Sequence, residues 1–135
     1  MYRANQQQMS IYDYLPPYHG ELVEQNRWVR LAQAIDWDRF EQEYSENFSA
    51  GGKIAIPARM AYGSLIIRAA YHATDRQTIA LIRESPYLQY FLGFETFTDE
   101  VPFSSRSMER FRSRIPQEKV REALRLLKSF EKSKK

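Results

Sequence analysis

Apolar side chains recur at close to 3.6-residue spacing along most of this chain, a pattern that predicts amphipathic helices and not strands. From Glu21, the positions Leu22, Val23, Trp28, Leu31, Ala32 and Ile35 keep that period. Asp36 can then cap a second helix carrying Phe40, Tyr44 and Phe48, so residues 21–50 read as a helical hairpin turning at Asp36-Trp37. Ser49-Ala50-Gly51-Gly52 interrupts the period, and Pro57 suits the first turn of a helix running to about His72, with Met60, Leu65, Ile66 or Ile67, and Tyr71 on one apolar face. Thr74-Asp75 offers an N-cap to a short helix with Ile79, Leu81 and Ile82, ending near Ser85-Pro86. Tyr87 to Leu92 forms another, stopped by Gly93.

Beyond a loop through Phe97 and Pro102, Ser104 or Ser105 can cap a helix that puts Met108, Phe111 and Ile115 on one face. Pro116 and Glu118 open the last helix, with Val120, Leu124 and Leu127 inward and Arg121, Arg125, Lys128 and Lys132 outward. The fold class is therefore all-α: a compact multi-helix domain with a helix-turn-helix-like C-terminal half. Residues 1–20, polar and ending Pro16-Pro17-Tyr18-His19-Gly20, read as an irregular N-terminal arm. A single helical domain follows over 21–130, its second part a bundle over 57–130 with a DNA-reading helix at 105–115, and 131–135 is a basic tail.

Composition narrows the function. With 135 residues, eight Phe, nine Tyr and two Trp, the chain can bury a real core despite a mean hydropathy of −0.62. Zero cysteines exclude disulfides, thiolate zinc sites and cysteine nucleophiles, and two histidines, His19 and His72, exclude a histidine-rich metal site. No segment has the length and apolarity of a membrane span or a secretory leader, so a cytoplasmic, nucleoid-associated location is expected. The net charge of +3 is uneven: residues 1–56 carry five basic and eight acidic groups, residues 57–103 four and five, and residues 104–135 eleven and four. Such a concentration of positive charge makes a local field for a polyanion.

On the 105–115 helix, Arg106, Arg110 and Arg114 form one stripe roughly opposite Met108, Phe111 and Ile115. Guanidinium groups so placed can reach guanine edges or phosphates in a major groove, and Ser105 and Ser107 stand at the helix start, where backbone N–H groups face phosphate. Arg112 lies at the edge of that face, and Arg121, Arg125 and Lys128 would meet phosphate. The competing reading is a solvated face with Arg–Glu pairs through Glu109 and Glu118. Elsewhere, Asp36, Asp38, Glu41, Glu43 and Glu46 spread around a helix instead of converging on a metal, His72 lacks a second ligand, and Gly51-Gly52 matches no nucleotide loop. Trp28, Trp37, Tyr90 and Phe91 could stack bases, but their helical spacing fits core better. With no nucleophile, base and orienting group together, a non-enzymatic chain without a cofactor is expected.

The order of Asn26-Arg27-Trp28-Val29, Ile35-Asp36-Trp37, Tyr44, Arg59-Met60-Ala61-Tyr62-Gly63, Ser85-Pro86-Tyr87-Leu88-Gln89-Tyr90-Phe91-Leu92-Gly93, Pro102-Phe103 and Phe111-Arg112-Ser113-Arg114-Ile115 resembles the N-terminal domain of bacterial insertion-sequence transposases of the DDE type. The resemblance implies a helical domain that recognises the terminal inverted repeats in double-stranded DNA and helps pair the element's ends. It also implies that strand chemistry belongs to an RNase H-like domain placed after it, which the chain, ending at Lys135, would lack. Where relatives tend to carry Asp-Pro-Ser, this chain has Ser104-Ser105-Arg106-Ser107. A second reading is an interaction module, in which the Tyr87 to Phe94 block and the aromatic N-terminal helices mediate homodimer formation or docking to a catalytic domain. Neither reading involves a membrane or a small-molecule substrate.

Overall fold

In a computed structural model, the described residues are 24–46 and 56–132, and they form seven helices and no strand. Asn26 starts the first, α1 (Arg27–Ala34), by accepting from the backbone N–H groups of Trp28 at 2.8 Å and Val29 at 3.4 Å. The helix expected from Glu21 therefore begins at Arg27, and Leu22 and Val23 lie outside the described residues. Asp36 caps α2 (Trp37–Glu46) as its position suggests, its carboxylate accepting from Arg39 N–H at 3.1 Å. Pro57 stands just ahead of α3 (Ala58–Ala70), one position earlier than the first turn.

Two further caps follow the chain chemistry closely. Thr74 and Gln77 form a reciprocal capping box on α4 (Asp75–Glu84), and Ser85 caps α5 (Pro86–Leu92) by accepting from Leu88 N–H at 3.2 Å. Gly93 adopts a left-handed φ of +87° and ends α5, as a residue without Cβ can do at no steric cost. His72 closes α3 in the same region at φ 52°, with Ala73 N–H reaching back to the Arg68 carbonyl. The last helices are α6 (Ser105–Arg114) and α7 (Gln117–Lys132).

Helix α3 is the centre of the packing. Helices α2, α4, α5, α6 and α7 all rest against it, and Ala61, Tyr62, Leu65, Ile66 and Ile67 are buried. The single apolar face expected for α3 is therefore too narrow: neighbours on every side bury Ala58, Gly63 and Ser64 too, whereas Tyr71 stays 41% exposed. At Gly63 an added Cβ would come within 2.5 Å of the Leu92 side chain, so the Leu92 methyl of α5 packs into the space that a side chain on α3 would take.

Two polar side chains tie loops and helix ends into this core. The fully buried Gln89 amide donates to the carbonyls of Ile82 at 3.0 Å and Thr98 at 2.6 Å and accepts from Thr98 N–H at 2.9 Å, which fixes the segment leading to α6. Arg59 donates to the carbonyls of Phe91 at 2.8 Å and Tyr90 at 3.0 Å, satisfying the C-terminal end of α5, and stacks 4.7 Å from the Trp37 ring centroid. Burial holds its guanidinium down to about 10.

Candidate nucleic-acid interface

The orientation of α6 is set from beneath. Met108, Phe111 and Ile115 are buried, and Phe103 meets Phe111 edge to face with ring centroids 5.6 Å apart. At its start Ser104, not Ser105, is the cap: its hydroxyl accepts from Ser107 N–H at 3.2 Å while Ser107 Oγ accepts from Ser104 N–H at 3.3 Å. Ser107 is thus committed to a capping box that two serines make, and Ser105 is half-buried beside it. With the apolar face down, Arg106 and Arg110 project into solvent.

The other arginines of the stripe and its edge have different surroundings. Arg112 pairs with Asp75 at the start of α4, and Arg68 of α3 pairs with the same carboxylate at 2.8 Å, so three helices meet at Asp75. Arg114 donates a hydrogen bond to the Tyr44 phenol of α2, whose pKa burial raises against the opposing pull of that guanidinium. On α7, Arg121 and Arg125 each approach Glu118 at 3.5 Å, exposed contacts of little energetic weight. The α7 end is tied to α1 instead by Arg27, which pairs with Glu131, and by Arg30, whose guanidinium lies 4.6 Å from the Phe130 ring centroid.

Among the described residues, the cations with no acidic, hydrogen-bonding or ring partner are Arg76, Arg83, Arg106, Arg110 and Lys128. Arg76 and Arg83 belong to α4, which packs on α6, and sequence reasoning passed over them. The signal was present: no Asp or Glu stands three or four positions from either one. Arg106 has Glu109 at that spacing, yet the two make no ion pair.

Other candidates resolve into structure. Trp28 is buried and donates to the Tyr71 hydroxyl at 3.2 Å, Trp37 donates to the Ala32 carbonyl at 2.8 Å, and Phe91 is fully buried between them, so these rings belong to the core. Leu88, Gln89, Tyr90, Phe91, Leu92 and Phe94 are likewise buried, so most of the Tyr87 to Phe94 block packs within the domain. Of the acidic cluster, Glu43 pairs with Lys119 at 3.1 Å and Arg39 at 3.5 Å, and chiefly Lys119 holds its carboxyl below the usual carboxylate range. No group of three or more metal-ligating side chains converges among the described residues, and no described helix is long and apolar enough to cross a membrane.

Seven helices with α3 at their centre, and uncompensated arginines on an outward helix face, define among the described residues an all-α domain with a cationic surface. By sequence, this chain belongs to the family described as "Transposase domain (DUF772)", whose model matches residues 16–114 and so takes in α1 to α6. It is also 31% identical over 97 residues to the "Uncharacterized protein ORF8 in nfe locus" of Rhizobium meliloti. That match covers 72% of this chain and 47% of the relative, so the chain spans about half the length of the curated relative it matches. No solved structure matches.

Proposed function

We propose that this domain binds double-stranded DNA for an insertion-sequence transposase, recognising the terminal inverted repeats of the element through the outward face of α6. Membership in a transposase domain family supports the setting. The observation that carries the reading is the state of Arg106 and Arg110: helix α6 is anchored by Met108, Phe111 and Ile115, and on its far side two guanidinium groups stand without a partner among the described residues. An arginine kept free of carboxylates is ready to give its full set of donors to a guanine edge or a phosphate.

In this reading α6 is the reading helix and α4 packs beside it, with α5 between them in sequence. Ser105 sits at the start of α6 to meet backbone phosphate, and Lys128, unpaired on α7, adds a phosphate contact. Arg121 and Arg125 exchange their weak contacts with Glu118 for phosphate. Arg112 and Arg114, together with the capping Ser107, act on DNA indirectly by holding α6 in place. Strand cleavage and joining are assigned to a different part of the transposase, and this part needs no cofactor of its own.

Fluorescence anisotropy with a duplex of the terminal repeat and a scrambled duplex tests the proposal. Tighter binding to the repeat, persisting as salt is raised, is expected; equal binding that salt abolishes would reduce the site to a basic surface and defeat the recognition reading.

A further inference from the structure

Helix α4 supplies a second cationic element that neither the family match nor the α6 stripe accounts for. Arg76 and Arg83 lie seven residues apart, two helical turns, so both occupy the same side of α4 with Ala80 between them. A cleft of about 360 Å³ separates that side from the segment leading into α6, and Arg76, Arg83, Ala80, Phe103, Ser104 and Ser105 are among its walls. No carboxylate lines it. Among the described residues both guanidinium groups lack any acidic, hydrogen-bonding or ring partner, whereas Arg68 and Arg112 already share Asp75. Asp75 is the acidic group nearest Arg76 in sequence, and its Oδ1 is shared by those two arginines.

We infer that Arg76 and Arg83 form a backbone clamp: they bind DNA phosphates beside the bases that α6 reads. This rests on the DNA-binding reading above and divides the labour within it. Arg106 and Arg110 face base edges from α6, and the α4 pair sets the register of the duplex against that helix without reading sequence. An exposed, uncompensated arginine pair bordering a cleft without carboxylates has the charge and the fork of donors that phosphate oxygens accept. The small Ala80 leaves the space between the two open for the strand to approach.

The test is the salt dependence of binding by the full 135-residue chain. Arg76→Gln/Arg83→Gln is compared with the wild type and with Arg39→Gln/Lys119→Gln, which removes the same charge from the α2–α7 side. The clamp predicts that the α4 variant loses about two units from the slope of log affinity against log salt, roughly one per phosphate contact. Affinity falls by about the same factor on repeat and scrambled duplexes, and the helical circular-dichroism signal is unchanged. A slope equal to that of the wild type, with binding that Arg106→Ala/Arg110→Ala still weakens, overturns the clamp and leaves the DNA-binding reading intact. The same loss in the Arg39→Gln/Lys119→Gln control also overturns it, because net charge alone would then explain the effect. Absence of wild-type binding to either duplex overturns both readings together.

Discussion

Arg112 pairs with Asp75 across 37 positions of sequence, and Arg110, two residues earlier on the same helix, pairs with nothing in the described protein. The pitch of α6 turns one guanidinium toward α4 and the other toward solvent. Neighbouring arginines are thereby given different work, and they should respond oppositely to removal. Arg110→Ala should leave stability within about 0.5 kcal/mol of the wild type, as surface substitutions do, and weaken DNA binding. Arg112→Ala should cost up to about 1 kcal/mol in urea unfolding, the value of a partly exposed pair, with the smaller effect on DNA. A larger loss of stability at Arg110 than at Arg112 would reverse the assignment.

Arg59→Met should cost about 2–4 kcal/mol in the same unfolding experiment. The substitution takes the guanidinium donors away from the Tyr90 and Phe91 carbonyls at a buried helix end, where Tyr90 keeps only the Gly93 N–H, and removes the contact with Trp37. Arg59→Lys should recover little of this, because one ammonium cannot reproduce a planar fork directed at two carbonyls. Full recovery by lysine would show that charge and not geometry is what α5 requires.

The elements of this fold were legible because their signals are local. Asp36, Thr74 and Ser104 announce helix starts, Gly93 announces an end, and Met108, Phe111 and Ile115 give the buried face of α6, whereas Ser85, read as the end of α4, also caps α5. What stayed hidden depends on partners distant in sequence. Nothing near Arg112 or Arg114 points to Asp75 or Tyr44, so a stripe that looks uniform by periodicity is divided by tertiary contacts. The breadth of the α3 core was hidden for the same reason, since five other helices must be placed before Gly63 and Ser64 are seen to be enclosed. Arg76 and Arg83 fall between these cases: the local sequence shows them without acidic neighbours, but only the packing of α4 on α6 gives that a use.

The Tyr62 hydroxyl donates to the Lys119 carbonyl at 2.7 Å, joining α3 to α7, and burial pushes its pKa up to about 12. A phenol that titrates at about 12 when folded and near 10 when unfolded binds more protons in the folded state between those values. Its contribution is therefore complete below pH about 10 and is lost as the pH rises toward 12. Tyr62→Phe should cost about 1 kcal/mol at neutral pH and flatten the decline in stability above pH 10. A variant whose stability falls as steeply as that of the wild type over this range would place the titration elsewhere.

Gly63→Ala gains helix propensity but forces a methyl against Leu92, and the second effect should win. The expected net loss is about 1–3 kcal/mol by overpacking. In Gly63→Ala/Leu92→Ala the two changes should be less costly together than the sum of each alone, since the shortened side chain vacates the space the methyl needs. Strict additivity in thermal unfolding would mean that the close approach of α3 and α5 is not what requires glycine.

The central claim is tested most directly by titrating a labelled terminal-repeat duplex and its scrambled counterpart with the wild-type chain and with Arg106→Ala/Arg110→Ala at one fixed salt concentration. The wild type should prefer the repeat, and the double substitution should remove the preference. Affinity for the repeat should fall at least about tenfold, given roughly 1–3 kcal/mol for each bidentate base contact, with the helical circular-dichroism signal unchanged. Equal affinity of the two proteins for the repeat would contradict it, because α6 would then present its unpaired arginines to something other than the ends of the element.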